Sequence, residues 1–88
     1  MGSLKNEDTG EVVRLAARTL VGRAVDCALV VNDPLASGEH ASVWWTGEQW
    51  KLRDLGSRNG TFVDGHRIGP GHTVVLGAGS KVAFGNPA

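Results

Sequence analysis

An all-β fold follows from three features of the sequence. Apolar residues recur with a period of two, glycines and prolines interrupt those runs at intervals of about eight to twelve residues, and no stretch combines a 3.6-residue period with helix caps. The alternation runs through Val13-Arg14-Leu15, Cys27 to Val31 and Ser42-Val43-Trp44-Trp45, and is clearest in Gln49-Trp50-Lys51-Leu52-Arg53. In the last of these, Trp50 and Leu52 are expected to face inward and Lys51 and Arg53 outward. Trp45 shares the phase of Val43 and is expected in the core, whereas Trp44 points the other way.

Two turns are legible locally. Thr46-Gly47-Glu48 separates two alternating runs and suits a hairpin, and Asp64-Gly65, between Thr61-Phe62-Val63 and Arg67-Ile68, suits a type I′ turn. The first ten residues are polar and without periodicity, so residues 1–10 are read as a leader and residues 11–88 as the domain. Many short strands at this spacing predict a sandwich or a small barrel; periodicity does not choose between them.

Eighty-eight residues accommodate one core and no second domain. Nine Lys and Arg balance nine Asp and Glu, so there is no overall attraction to nucleic acid or an anionic membrane, and a bound anion must be held locally. The longest apolar run, Ala28 to Val31, is far short of the roughly 20 residues that span a bilayer. The N-terminus lacks the charge and apolar pattern of a secretory signal, which predicts a cytoplasmic chain. Cys27 is the single cysteine; it cannot form an internal disulfide and is expected as a small buried apolar residue.

The segment Asp54-Leu55-Gly56-Ser57-Arg58-Asn59-Gly60-Thr61-Phe62-Val63-Asp64-Gly65 resembles the signature of the forkhead-associated (FHA) domain, in which Ser-x-Asn-Gly-Thr lies between an Asp-Leu strand end and a final hairpin. Gly22-Arg23 and Ser37-Gly38-Glu39-His40 stand upstream in the order expected of that family. The resemblance runs from about Glu11 to Asn86. It implies an FHA-like β-sandwich of about eleven strands in two antiparallel-rich sheets, with loops at one end that bind phosphothreonine peptides and no cofactor.

The residue chemistry points the same way. A phosphothreonine brings about −1.5 to −2 charges and three acceptor oxygens, so its receptor needs fixed donors and a dedicated cation. Arg23 offers a rigid fork of donors for phosphate. Ser37 offers its hydroxyl, with its backbone amide as a further donor. Asn59 carries a donor and an acceptor on one planar amide, which suits a peptide backbone, and Arg58 adds a second cation. Ser57 is a weaker candidate for the same site. The resemblance assigns loop bracing to Gly22, His40, Gly60 and Thr61; Gly60 is expected at positive φ and Thr61 to pin its loop through its hydroxyl. It also implies that the loop before Ser37 helps select the residue three places after the phosphothreonine, where Leu35 predicts an uncharged side chain.

Two departures from the family pattern predict a weakened phosphate site: Gly38 stands where relatives often have a basic residue, and Glu39 adds a negative charge beside it. An enzyme would have to be built on Ser37, His40 and Asp54, but Ser37 is not in a Gly-x-Ser-x-Gly elbow and no oxyanion hole is marked. His40, His66, His72 and Cys27 are not spaced as metal ligands. The expected function is a signalling module, not an enzyme, that recruits a protein phosphorylated by a Ser/Thr kinase. It is expected to act as a monomer or within a larger chain, without nucleic acid or membrane; the alternative is a phosphorylation-independent scaffold on the same fold.

Overall fold

The computed structural model describes residues 2–5 and 10–85, and among these it contains ten strands and no helix. They are β1 (Gly2–Lys5), β2 (Val12–Leu15), β3 (Arg18–Gly22), β4 (Leu29–Val30), β5 (Ala41–Trp45), β6 (Trp50–Asp54), β7 (Thr61–Val63), β8 (His66–Ile68), β9 (Thr73–Leu76) and β10 (Val82–Phe84). The number is close to the eleven expected. A five-stranded sheet has the order β4-β3-β5-β6-β9, a three-stranded sheet the order β10-β7-β8, and β1 pairs with β2 alone. Every pair is antiparallel except β3 with β4, where Val21 lies opposite Leu29.

The period of two explains how the core forms. Val43 lies opposite Leu52 and Val21 opposite Ala41, and all four are completely buried. Ile68 from the three-stranded sheet closes the cluster, with Val63, Val82 and Phe84 packed around it. Trp50 and Leu52 face this core as the alternation predicts. Trp45 is only half-buried at the edge of it, its ring against that of Trp50 at a centroid distance of 5.4 Å. Trp44 faces the opposite way, with the Arg18 guanidinium 6.0 Å from its ring centre.

Both hairpins form as read. Trp45 pairs with Trp50, and the intervening turn is closed by the Thr46 amide donating to the Gln49 carbonyl at 2.9 Å. Asp64 and Gly65 have φ values of 51° and 82°, the pair of positive angles that defines a type I′ turn.

The N-terminal reading needs correction. Gly2–Lys5, expected within a leader, forms β1, with Leu4 opposite Val13. Four residues carry too short an alternation to stand out, yet Leu4 turns to the half-buried side and Gly2 lies against the Trp50 indole, where a Cβ would come within 2.6 Å of the ring. Residues 6–9, the rest of the expected leader, and residues 86–88 at the end of the expected domain lie outside the described residues.

Candidate functional site

The register carries three chain segments to one end of the five-stranded sheet. Val21 near the end of β3, Ala41 at the start of β5 and Asp54 at the end of β6 lie side by side across the strands. The segments that continue from them are therefore neighbours: Gly22-Arg23, the connection 31–40 and the connection 55–60. Together they enclose an open cavity of ≈ 360 Å³ lined by Arg23, Pro34, Leu35, Ala36, Ser37, Arg58 and Asn59. Four of the five residues expected to bind a phosphopeptide meet there.

Hydrogen bonds set how each of them is presented. The Ser37 hydroxyl accepts the Arg58 amide at 3.1 Å, which leaves its own proton to donate to an anion. The Ser37 backbone amide, expected as a second phosphate donor, instead donates to Nδ1 of His40 at 2.9 Å and is thereby turned away from that task. Asn59 donates through Nδ2 to the Leu35 carbonyl at 2.8 Å, a bond that fixes the amide orientation and joins two of the three segments. The Arg23 amide donates to the Ser37 carbonyl at 2.9 Å and the Ala24 amide to that of Gly38 at 3.1 Å, joining the third. The guanidinium-bearing Arg23 and Arg58 are both exposed, as a cation awaiting an external anion must be.

His40 is fully buried and bridges the loops. Its Nδ1 accepts from Ser37, so Nε2 carries the proton and donates to the Gly60 carbonyl at 2.8 Å. Both ring nitrogens are committed to backbone groups, neither to the Ser37 hydroxyl nor to Asp54, and the three do not form a catalytic relay. Gly22 has a steric reason: a Cβ there would lie 2.0 Å from the Gly38 carbonyl oxygen, inside any tolerable contact. Gly60 has the expected positive φ, 89°.

Asp54 organises the loop that follows it. Its carboxylate, 1% exposed, accepts the Thr61 hydroxyl at 2.7 Å, the amides of Gly56 and Ser57 at 2.9 and 3.1 Å, and the Ser57 hydroxyl. Burial pushes the carboxyl pKa up, but these four donors outweigh it, the hydroxyls of Ser57 and Thr61 foremost, and hold it below the ordinary 3.8. Thr61 thus pins the loop as expected. Ser57 is buried with its hydroxyl on Asp54, which places it with the bracing residues and outside the lining of the cavity.

Sequence reasoning missed two braces. Asp54 attracted notice only as part of a signature and a hypothetical relay, because a loop-capping carboxylate looks like any other Asp. Gly85 donates its amide to the same Gly60 carbonyl that His40 engages, at 2.8 Å, and a Cβ on it would lie 2.3 Å from the Leu35 carbonyl oxygen. Nothing local in the sequence signals that contact between residues so far apart in the chain. The expected weakening by Gly38 and Glu39 also finds a different geometry. Neither residue lines the cavity, and Glu39 instead acts with burial and Asp26 to raise the pKa of the Cys27 thiol, burial contributing most. Cys27 is buried as expected and donates its Sγ hydrogen to the Gly38 carbonyl at 3.2 Å. Among the described residues no three of His, Cys, Asp and Glu converge as metal ligands.

The model of the FHA domain matches residues 19–85, which include all three motifs and the strands from β3 onward. The chain belongs to the FHA family. Among curated relatives, the FHA domain-containing protein FhaB of Mycobacterium tuberculosis is 36% identical over 75 residues, covering 84% of this chain and 48% of FhaB. The oxoglutarate dehydrogenase inhibitor of Corynebacterium jeikeium is 33% identical over 67 residues, covering 76% of this chain and 44% of that protein. The chain therefore spans about half the length of FhaB. Among solved structures, Mycobacterium tuberculosis EmbR in complex with a low-affinity phosphopeptide superposes with a TM-score of 0.87 at 31% identity, over 93% of this chain and 21% of EmbR. An FHA domain solved in a study of phosphothreonine-dependent FHA interactions gives 0.80 at 26% identity, over 91% of this chain and 81% of the other.

Proposed function

We propose that this domain binds phosphothreonine peptides, without catalysing a reaction, and recruits a partner protein marked by a Ser/Thr kinase in the cytoplasm. The observation that carries the reading is the convergence of Arg23, Ser37, Arg58 and Asn59 on one open cavity. Arg23 supplies the charge-assisted fork to the phosphate. The Ser37 hydroxyl donates to a second oxygen, its lone pair already occupied by the Arg58 amide. Arg58 adds a cation at the rim, and Asn59, anchored on Leu35, presents its remaining amide groups to the peptide backbone. His40, Gly60, Thr61, Ser57 and Asp54 fix the loops behind them. EmbR and the other FHA domain, solved with or for phosphopeptides, support the same reading.

Leu35, 43% exposed at the cavity rim, supports selection of an uncharged residue near the phosphothreonine. The preference for phosphothreonine over phosphoserine rests on burial of one methyl group, about 0.8 kcal/mol.

The test is calorimetric titration with matched phosphothreonine, phosphoserine and unmodified threonine peptide pools. Saturable binding of the phosphothreonine pool is expected, and Arg23→Ala should weaken it by about ten- to a hundredfold, since a hydrogen bond to an ion contributes about 1.5–3 kcal/mol, while the unfolding midpoint stays unchanged. Equal binding of the unmodified pool, or undiminished binding by the variant, would refute the assignment.

A further inference from the structure

The five-stranded sheet has a second face. Because Thr19, Val43, Leu52 and Val74 point inward, their neighbours point out, and the register arranges these in two rows across the strands. One row reads Arg18, Trp44, Lys51, Val75 and the other Leu20, Ser42, Arg53, Thr73. Each row crosses from β3 through β5 and β6 to β9. The strand positions on this face hold three cations and no Asp or Glu, although the whole chain has as many acids as bases. Asp54 is turned to the other face and buried, while Asp26, Asp33, Glu39, Glu48 and Asp64 lie in connections between strands. Trp44 sits at the middle of the cationic cluster, under Arg18 and directly opposite Lys51. Val75, 52% exposed, lies on the far side of Lys51.

We infer that this outer face is a second interaction surface, separate from the phosphopeptide cavity, that fits an extended acidic polypeptide segment carrying interspersed aliphatic side chains. Charge complementarity selects the partner. Lys51 and Arg53 are two residues apart on one strand, about 6.8 Å, which is also the spacing of alternate side chains on an extended partner strand. Two carboxylates two residues apart on the sheet-facing side of the partner meet these cations, and aliphatic side chains at the flanking positions of that same side meet Trp44, Leu20 and Val75. Trp and Arg are the residue types that most often dominate binding energy at protein interfaces. Nucleic acid fits less well: β3, β5 and β6 are interior strands whose amides are engaged in the ladder, so the face offers phosphates no backbone donors beside its three side-chain cations.

The experiment is backbone and indole NMR titration of the isotope-labelled domain with a short unphosphorylated Glu-Leu peptide, Leu-Ser-Glu-Ser-Glu-Ser-Leu, whose Glu and Leu side chains share one face when extended. A Lys-Leu peptide, oligothymidylate and anionic lipid vesicles serve as comparison probes. Saturable shifts confined to the two outward rows, from Arg18 and Leu20 through Trp44, Lys51 and Arg53 to Thr73 and Val75, are expected for the Glu-Leu peptide alone. The double variant K51E/R53E should weaken that binding at least about tenfold while its unfolding midpoint and its affinity for a phosphothreonine peptide remain unchanged, which keeps this result independent of the cavity's function. W44A serves as a second probe that alters no charge and should also weaken binding. Shifts centred on Arg23 and Arg58, no saturable binding at about millimolar peptide, or tighter binding of oligothymidylate or vesicles would each overturn the inference.

Discussion

His40 joins two loops with opposite edges of one ring, a role that depends on its protonation geometry as much as its shape. Nδ1 must accept from Ser37 while Nε2 donates to Gly60, so the doubly protonated ring cannot make both bonds. Replacing it by alanine leaves the part-buried Ser37 amide without its acceptor, removes one of the two donors to the Gly60 carbonyl and opens a void between loops. His40→Ala is expected to destabilise the domain by at least about 2 kcal/mol, read by urea unfolding, and to weaken phosphothreonine binding under conditions where the variant is still folded. His40→Asn, whose Oδ1 approximates the position of Nδ1 and can accept the Ser37 amide, should recover more of the binding than of the stability. The resemblance to the family implied a bracing role for His40, and the two ring hydrogen bonds are of the kind that role requires. The neighbouring expectation for the Ser37 amide was not met, because that amide and the imidazole lie three residues apart and their mutual orientation is decided by the loop fold rather than by residue type.

At the level of strands, β10 belongs to the three-stranded sheet yet ends among loops that extend from the other one. Phe84 meets the His40 ring edge-on with centroids 5.7 Å apart, and Gly85 packs against Leu35 while bonding Gly60. Gly85→Ala should therefore displace the 34–37 loop: its φ of 87° and the 2.3 Å approach leave no room for a methyl group, at a cost of about 1–3 kcal/mol. Parallel thermal unfolding and phosphopeptide titration check this; loss of affinity without loss of the fold is the expected pattern. The same long-range character separates what the sequence revealed about elements from what it concealed. The Asp64-Gly65 hairpin was readable because its geometry is set by two adjacent residues. Strand β1 was concealed because Gly2–Lys5 acquires meaning only when paired with β2 and laid on Trp50. The sheet order, with β9 next to β6 and β10 next to β7, likewise depends on contacts that no local period encodes; the family signature implied the sandwich that periodicity left open.

For the molecule as a whole, Asp54 links stability to pH. Its folded-state pKa lies below the ordinary 3.8, so the folded state favours the carboxylate. Its contribution is complete above about pH 4 to 5, where the unfolded carboxyl is also ionised, and is lost as pH falls through the folded-state value. Unfolding midpoints measured from about pH 6 to pH 2.5 should drop at the acid end. Asp54→Asn should flatten that drop and lower the neutral-pH stability by about 1–3 kcal/mol, because it removes the charge that strengthens four hydrogen bonds and, with its oxygen on the Gly56 and Ser57 amides, turns its NH₂ to the Ser57 and Thr61 hydroxyls, which must then accept. One carbonyl ties these scales together. Gly60 C=O receives Nε2 of His40 from one loop and the Gly85 amide from the opposite sheet, bonds made within the fold itself. The conformational entropy of ordering that socket is lost during folding and not again at each encounter, so a peptide meets a rigid receptor. Differences in affinity among peptides then reside in how long each complex survives, and association proceeds at a nearly common rate.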